Sequence, residues 1–401
     1  MLLLINPFGR IVEIPTEKQY NELLNTFGFR LLTDAEKKSY AAEREVKFIP
    51  GAKQDESKRG VYLATVSQGG KDGYGVASEL IARELQNVGI PVTRYYDGQK
   101  VAILFHNPYS ILSIQGQYKI IYTMFESDKI PADWHDYLGS ADLVLVPSKW
   151  CQSVFKKSGI ESQVVPLGYN DNVYFYKERI NKREQRQNFT FLHYNAFNIR
   201  KGFPEVFKAF VKAFRQDEPV KMIFKTNLLQ LPLPITKEKY PNIEIITGAM
   251  GDRELADLMG RSDCFVLPSR GEGFGVPPLE TMATGMPAII PNAHGFTEYF
   301  NSDYMYEVNV KETCPALYSR YKGQDTGNMV VCDIDHLAER MRFVYEHQDE
   351  ALAKGKKASE YVKQWTIKNT ALQLKKIIER AENEIIKDKP VSDLLNLEIV
   401  K

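Results

Sequence analysis

A chain of 401 residues, 43% hydrophobic and 26% charged, holds more apolar material than one core needs and reads as two soluble globular domains. Its 52 basic and 51 acidic residues leave a formal charge of +1. This excludes a global electrostatic pull towards nucleic acid or an anionic membrane, although a single basic face would suffice for DNA. Cys151, Cys264, Cys314 and Cys332 are scattered, with no paired spacing and no histidine partners, as expected of a reduced, cytoplasmic protein. The apolar start Met1-Leu2-Leu3-Leu4-Ile5 is too short for a signal peptide, and no run approaches the ~20 apolar residues of a membrane span.

In chain order, residues 2–14 suit a small hairpin around Asn6-Pro7-Phe8-Gly9. A helix over 16–27, a second starting at Thr33 and a polar loop over 53–59 follow. Residues 1–50 stand apart as an N-terminal extension. From Val61 short apolar strands (61–66, 92–96, 101–105, 120–125, 143–146) alternate with helices (76–88, one after Pro131, and 150–157). That texture predicts a parallel sheet covered on both faces. A charged stretch over 169–188 reads as a solvated linker or surface helix. A second series then begins, with strands at 189–194, 221–225, 243–246, 264–267 and 288–290. Its helices are expected at 204–214, 252–259, 277–284 and 336–347, and the chain ends in helices over 350–363 and 366–386. Residues 311–327 receive no assignment.

The densest motif is Ser269-Arg270-Gly271-Glu272-Gly273-Phe274-Gly275-Val276-Pro277-Pro278-Leu279-Glu280, continuing through Ala283, Gly285 and Pro287. It follows an apolar strand and opens a helix at Pro277 or Pro278, where a proline is tolerated in the first turn. The glycines admit a ligand close to the backbone, and the helix start suits an anion such as a diphosphate. Two glutamates eight positions apart carry no information alone; set in this frame they do. The motif resembles that of the retaining GT-B-fold glycosyltransferases with an E-x7-E signature, the glycogen-synthase-like and bacterial mannosyl- and glucosyltransferases. Further segments extend the likeness over residues 61–386. They are Phe125-Glu126-Ser127-Asp128 with the strand ending in Val146-Pro147-Ser148, Val165-Pro166-Leu167-Gly168-Tyr169, and Arg200-Lys201-Gly202.

The resemblance implies an α/β architecture of two Rossmann-like, doubly wound domains facing across a cleft. Residues 51–180 would form the acceptor side, 181–365 the donor domain, and 366–401 a helix crossing back. It implies a retained anomeric configuration, no obligatory cofactor or metal, and a nucleoside-diphosphate sugar as donor, with UDP favoured. The transferred group would be a hexose or pentose. By residue, Glu272 would orient the sugar, Glu280 the ribose, and Lys201 the diphosphate, where a fixed cation stabilises the charge of the leaving group. Relatives place an arginine five residues before that lysine; here the position is Ala196, and whether Arg200 replaces it stays open. Gly273, Phe274, Gly275 and Val276 would line the donor, and Gly73 and Gly75 would approach its phosphates. His106, at a strand end, would meet the sugar, with Glu126 and Glu298 as acceptor-side or sugar contacts. Asp333-Ile334-Asp335 has a metal-binding spacing, but it precedes a helix and Asp335 reads as an N-cap. Neither the acceptor, whether glycan, lipid, metabolite, protein or modified DNA base, nor the oligomeric state follows from these residues. A non-catalytic sugar-nucleotide-binding or assembly protein that keeps the fold is the alternative.

Overall fold

The computed structural model describes residues 2–5, 11–14, 30–31, 60–65, 73–182, 185, 187–196, 198–228 and 235–387. At the N-terminus Leu2–Ile5 (β1) pairs antiparallel with Ile11–Ile14 (β2), Leu2 opposite Ile14, and Arg30–Leu31 (β3) joins the other edge of β1. The helices expected over 16–27 and from Thr33, and the loop over 53–59, lie outside the described residues.

The first large sheet contains Val61–Ala64 (β4), Val92–Thr93 (β5), Val101–Phe105 (β6), Tyr118–Tyr122 (β7), Leu143–Val146 (β8) and Gln163–Val164 (β9). Its order is β5-β4-β6-β7-β8-β9, parallel throughout. Strands β6 and β8 are buried at every position, because helices cover both faces and alternation disappears. Those helices are Gly73–Asn87 (α1), Trp134–Leu138 (α2) and Lys149–Lys157 (α3). The strand read over 120–125 stops at Tyr122: beyond it the chain leaves the sheet, burying Phe125 under Trp134, 5.1 Å between ring centres.

The second sheet is built from Phe189–Tyr194 (β10), Val220–Lys225 (β11), Ile243–Ile246 (β12), Cys264–Val266 (β13), Ala288–Ile290 (β14) and Tyr306–Glu307 (β15). Its order, β12-β11-β10-β13-β14-β15, is again all parallel, and is the arrangement of a dinucleotide-binding domain. Helices Phe203–Ala213 (α4), Asp252–Gly260 (α5) and Val276–Ala283 (α6) link its strands. The unassigned residues 311–327 supply one strand and the connection of an antiparallel hairpin, Val310–Pro315 (β16) with Asn328–Cys332 (β17), the connection carrying a 3-10 turn at Ser319–Tyr321.

Ile334–Glu346 (α7), Gln348–Tyr361 (α8) and Ile367–Lys387 (α9) finish the chain. Helix α7 starts earlier than read, so the cap is Asp333 rather than Asp335: its carboxylate accepts from the backbone N–H of Asp335 and His336. Asp335 instead meets Lys212 at 2.6 Å on the surface. Nor is the charged stretch wholly solvated. Arg179 donates to the carbonyls of Met259, Ser262 and Thr284, where α5 and α6 end. Helix α9 returns to the first domain and packs along α1, with Lys375 donating to the Val88 carbonyl at 2.7 Å. The outgoing and returning chains touch: Tyr169 and Thr366 form a β-bridge, and a Cβ on Gly168 would lie 2.1 Å from the Thr366 carbonyl carbon.

Candidate active site

Open α/β sheets hold ligands outside the carboxyl ends of their strands, where the strand order reverses. In the second sheet that point lies between β10 and β13. The chain leaving β10 enters a single 3-10 turn, Ile199–Lys201, closed by the Asn198 side chain accepting from the Lys201 N–H at 3.2 Å. Gly202 ends the turn with φ +78, and a Cβ there would lie 2.4 Å from the Pro268 carbonyl oxygen. Only glycine lets this turn touch the loop leaving β13, which carries Glu272.

Side chains 71 residues apart therefore meet: Lys201 Nζ donates to Glu272 Oε1 at 2.6 Å. Ser269 Oγ donates to the same oxygen at 2.8 Å, and Arg200 Nη1 lies 3.4 Å from Oε2. Arg200 also donates to the Gly271 carbonyl and reaches into the first domain, 3.3 Å from Glu126 Oε1. Tyr318 donates to the other Glu126 oxygen at 3.5 Å. Two cations and two carboxylates thus share one partly dry volume, with Glu272 only 5% exposed. Burial alone would raise the Glu272 carboxyl, but the Lys201 and Arg200 charges and two hydrogen bonds outweigh it and hold it down to about 2. Burial works against Arg200 as well, yet Glu126 and Glu272 push its pKa above the usual arginine value.

Helix α6 opens at Val276, one residue before the expected proline, because Gly275 at φ +86 supplies the left-handed cap. A Cβ on Gly275 would strike the Phe296 ring at 2.2 Å. Pro277 and Pro278 carry no N–H, so an anion at this helix start would be met by the Val276 amide and those of the preceding loop. Gly273 sits against the first domain: its carbonyl accepts from Ser148 Oγ at 2.7 Å and from Cys151 Sγ at 3.3 Å. Phe274 is fully buried beside Tyr299. Glu280, half-buried, accepts from the Tyr194 hydroxyl at the end of β10; burial pushes its carboxyl up to about 7, that hydrogen bond opposing.

His106 ends β6, where the first sheet reverses order. Its Nδ1 lies 2.5 Å from the Asn107 amide nitrogen, and its ring centre is 4.9 Å from that of Tyr74. Tyr74 donates to the Met124 carbonyl at 3.3 Å, and a Cβ on Gly273 would lie 2.6 Å from Met124 Cβ, so this side of the first domain abuts the Glu272 loop. Gly73 and Gly75 fall in the first turn of α1. A Cβ at Gly73 would meet nothing within 4 Å, so packing does not require glycine there. Gly75 is buried, its carbonyl accepting from Ser78 Oγ at 2.9 Å. Glu298 ends the turn His294–Glu298, and its carboxylate accepts from the Lys149 N–H at 2.7 Å, at the start of α3.

Sequence reasoning gave no role to the side chains of His294, Tyr194 and Tyr318. His294 is the only non-glycine residue with positive φ (+43) among the described residues. Its Nε2 lies 2.9 Å from the Ser269 carbonyl oxygen, which requires the Nε2–H tautomer, and its Nδ1 is buried without a hydrogen bond. Burial lowers this imidazole to about 4, so it is neutral at pH 7. The next residue, Gly295, donates to the Glu272 carbonyl at 2.9 Å. The available signal was the His294-Gly295 pair beside the motif; Tyr194 and Tyr318 had none. Among the described residues no group of three or more His, Cys, Asp or Glu is placed to hold a metal ion, and no helix is long and apolar enough to cross a membrane.

Residues 175–365 match the family described as Glycosyl transferases group 1. A protein of Acidianus filamentous virus 1 named as a glycosyltransferase is 25% identical over 256 residues, 63% of this chain and 77% of that protein. The phosphatidyl-myo-inositol mannosyltransferase of Propionibacterium freudenreichii is 30% identical over 105 residues, 22% of this chain and 27% of its own length. Among solved structures, Anabaena Alr3699/HepE in complex with UDP and glucose superposes with a TM-score of 0.59 at 14% identity, over 80% of this chain and 99% of that one. Sucrose-phosphate synthase from Thermosynechococcus elongatus gives a TM-score of 0.60 at 13% identity, with the same coverage. The fold is GT-B, and the match of residues 175–365 to the group 1 glycosyl transferases, together with these relatives, supports glycosyltransferase activity.

Proposed function

We propose that this chain is a retaining glycosyltransferase that moves a hexose or pentose from a nucleoside-diphosphate sugar, UDP-linked for preference, to a hydroxyl acceptor. The observation that carries the reading is the cluster of buried Glu272 with half-buried Lys201 and Arg200 at the switch point of the second sheet, opposite Glu126 of the first domain. Lys201 has three N–H donors and gives one to Glu272, leaving others for a diphosphate oxygen. With the start of α6 it would stabilise the leaving nucleoside diphosphate, while the ionised Glu272 offsets positive charge on the departing sugar. Glu280 would accept from the ribose hydroxyls, His106 would meet the sugar, and residues 51–180 would present the acceptor. Retention and independence of metal follow from the E-x7-E likeness. The UDP preference is supported by the Anabaena protein, solved with UDP and glucose and with UDP-glucose. Four free cysteines among the described residues suit a cytoplasmic protein.

The test is a panel of UDP-, GDP-, ADP- and TDP-sugars, followed by thermal shift and by release of the nucleoside diphosphate, without and with Mg²⁺. A UDP-sugar is expected to stabilise the protein and to be slowly hydrolysed; a panel with no binder overturns the reading. The Glu280 assignment also predicts a pH dependence. Its pKa is raised to about 7, so the acceptor form is populated only above that pH. UDP affinity measured by calorimetry should therefore weaken about tenfold between pH 8 and pH 6, one proton being displaced on binding. In Glu280→Gln the profile should be flat and the affinity low throughout; a wild-type affinity independent of pH would remove Glu280 from the ribose.

A further inference from the structure

The β16–β17 hairpin belongs by sequence to the donor domain, but most of its specific contacts lie elsewhere. On one side, the Val330 N–H donates to the Arg270 carbonyl at 2.9 Å, and Cys314 Sγ lies 3.9 Å from Arg270 Nη1. Arg270 adjoins Gly271 and Glu272, and its own N–H donates to the Arg200 carbonyl at 2.7 Å. On the other side the hairpin grips the first domain. Asp128 and Asn328 exchange two bonds: the Asp128 N–H donates to the Asn328 carbonyl at 3.1 Å, and the Asn328 N–H to Asp128 Oδ1 at 2.6 Å. Ser127 Oγ donates to the Thr326 carbonyl at 2.6 Å, both residues being buried. Tyr318 and Tyr321 pack on Phe125 with ring centres 5.2 and 5.7 Å apart, and Tyr321 lies 6.3 Å from Trp134. Gly327, at φ +72, permits the approach: a Cβ there would lie 2.0 Å from Asp128 Oδ1 and 2.7 Å from Lys129 Cβ.

A two-stranded hairpin is at best marginally stable in water, so this one owes its order to what it docks on. The exposed Lys129–Asp325 pair adds little; the buried hydrogen bonds and the aromatic packing supply the hold. We propose that the hairpin is a positioning strap that ties the Glu272 loop to residues 125–129 of the first domain and so sets the distance at which Arg200 and Glu126 meet. The strap rests on the transfer reading above, because it matters only if both halves of the cleft act on one reaction.

The strap makes Trp134, 1% exposed, a reporter of its docking. Three proteins are compared: the wild type, Gly327→Ala, and the milder double variant Ser127→Ala/Asp128→Ala. Acrylamide quenching of Trp134 is read in a Trp150→Phe/Trp365→Phe background. Release of UDP from UDP-glucose and the Kd for UDP are read with the native tryptophans. In both variants Trp134 should become accessible to quencher and UDP release should fall about tenfold or more, as an ångström of misalignment would cause. The Kd for UDP should stay within about twofold, since alignment of the domains rather than the nucleotide site is lost. Wild-type turnover with an accessible Trp134 overturns the strap, and so does parallel loss of UDP binding and turnover. A wild-type protein that binds no nucleotide sugar overturns the transfer reading instead. The strap would then stand or fall on hydrogen exchange: Asp128 and Asn328 amides no better protected in the wild type than in Gly327→Ala overturn it.

Discussion

Lys201→Ala is expected to lower the turnover of the nucleotide-sugar donor by about 10²–10³-fold, the usual loss when one fixed charge-stabilising donor is removed from a transition state. The effect should fall on kcat, because the ammonium is held at 2.6 Å from Glu272 before any substrate arrives and is needed most when the diphosphate departs. Turnover within a few-fold of the wild type would remove Lys201 from the chemistry. The matching variant of Glu272 needs more care than its sequence position suggests. Glu272→Ala takes the neutralising charge from two cations in a largely buried site, at a cost of about 3–5 kcal/mol of stability. Loss of activity there would mix chemistry with unfolding. Glu272→Gln keeps the shape and an acceptor for Lys201, and should lose turnover with a smaller loss of stability in urea unfolding. The sign of its pH effect is fixed by the depressed carboxyl. The stabilisation from ionised Glu272 is present above the unfolded value of about 4.5 and is lost as pH falls from there towards about 2. The wild type should therefore lose stability over that range more steeply than Glu272→Gln.

Much of the scaffold was legible because buried parallel strands announce themselves. Val101–Phe105, Leu143–Val146 and Ala288–Ile290 are unbroken apolar runs with no polar face to confuse the period. The motif from Ser269 to Glu280 was legible for another reason, since Gly271, Gly273 and Gly275 are each demanded by a local approach, as Gly275 against Phe296 shows, and its prolines sit in the first turn of a helix. The hairpin escaped because β16 (Val-Lys-Glu-Thr-Cys-Pro) is exposed along nearly its whole length and carries no buried stripe. The junction of Arg200 with Glu126 escaped because no local pattern encodes which side chains two separate sheets bring to one point. Asp333 and Asp335 lie two residues apart at the same helix start, and backbone geometry alone shows which of them is the cap. His294 shows the same limit: no local pattern announces its positive φ, and it precedes Gly295, where a Cβ would lie 2.4 Å from the Gly273 carbonyl carbon.

Gly271→Ala should separate the two halves of the site without replacing a charged group. The new Cβ would lie 1.9 Å from the Glu126 carbonyl oxygen, where ordinary contact begins near 3.4 Å, so more than an ångström must open between the domains. The obstacle is backbone, and the hairpin grips on Ser127 and Asp128 keep it from turning aside. Gly271 is not among the positive-φ glycines, so alanine brings no backbone penalty of its own and the variant acts as a wedge. The displacement falls where Arg200 spans 3.3 Å to Glu126, and a misplacement of that size costs on the order of 10²-fold in turnover. Glu280, Tyr194 and the start of α6 belong to the donor side alone, so UDP affinity measured by calorimetry should be nearly unchanged. Reduced kcat with retained UDP binding would place the chemistry at the junction of the domains. Wild-type kcat in Gly271→Ala would mean that donor-sugar cleavage needs no close approach of Glu126, and that the second sheet does the chemistry by itself.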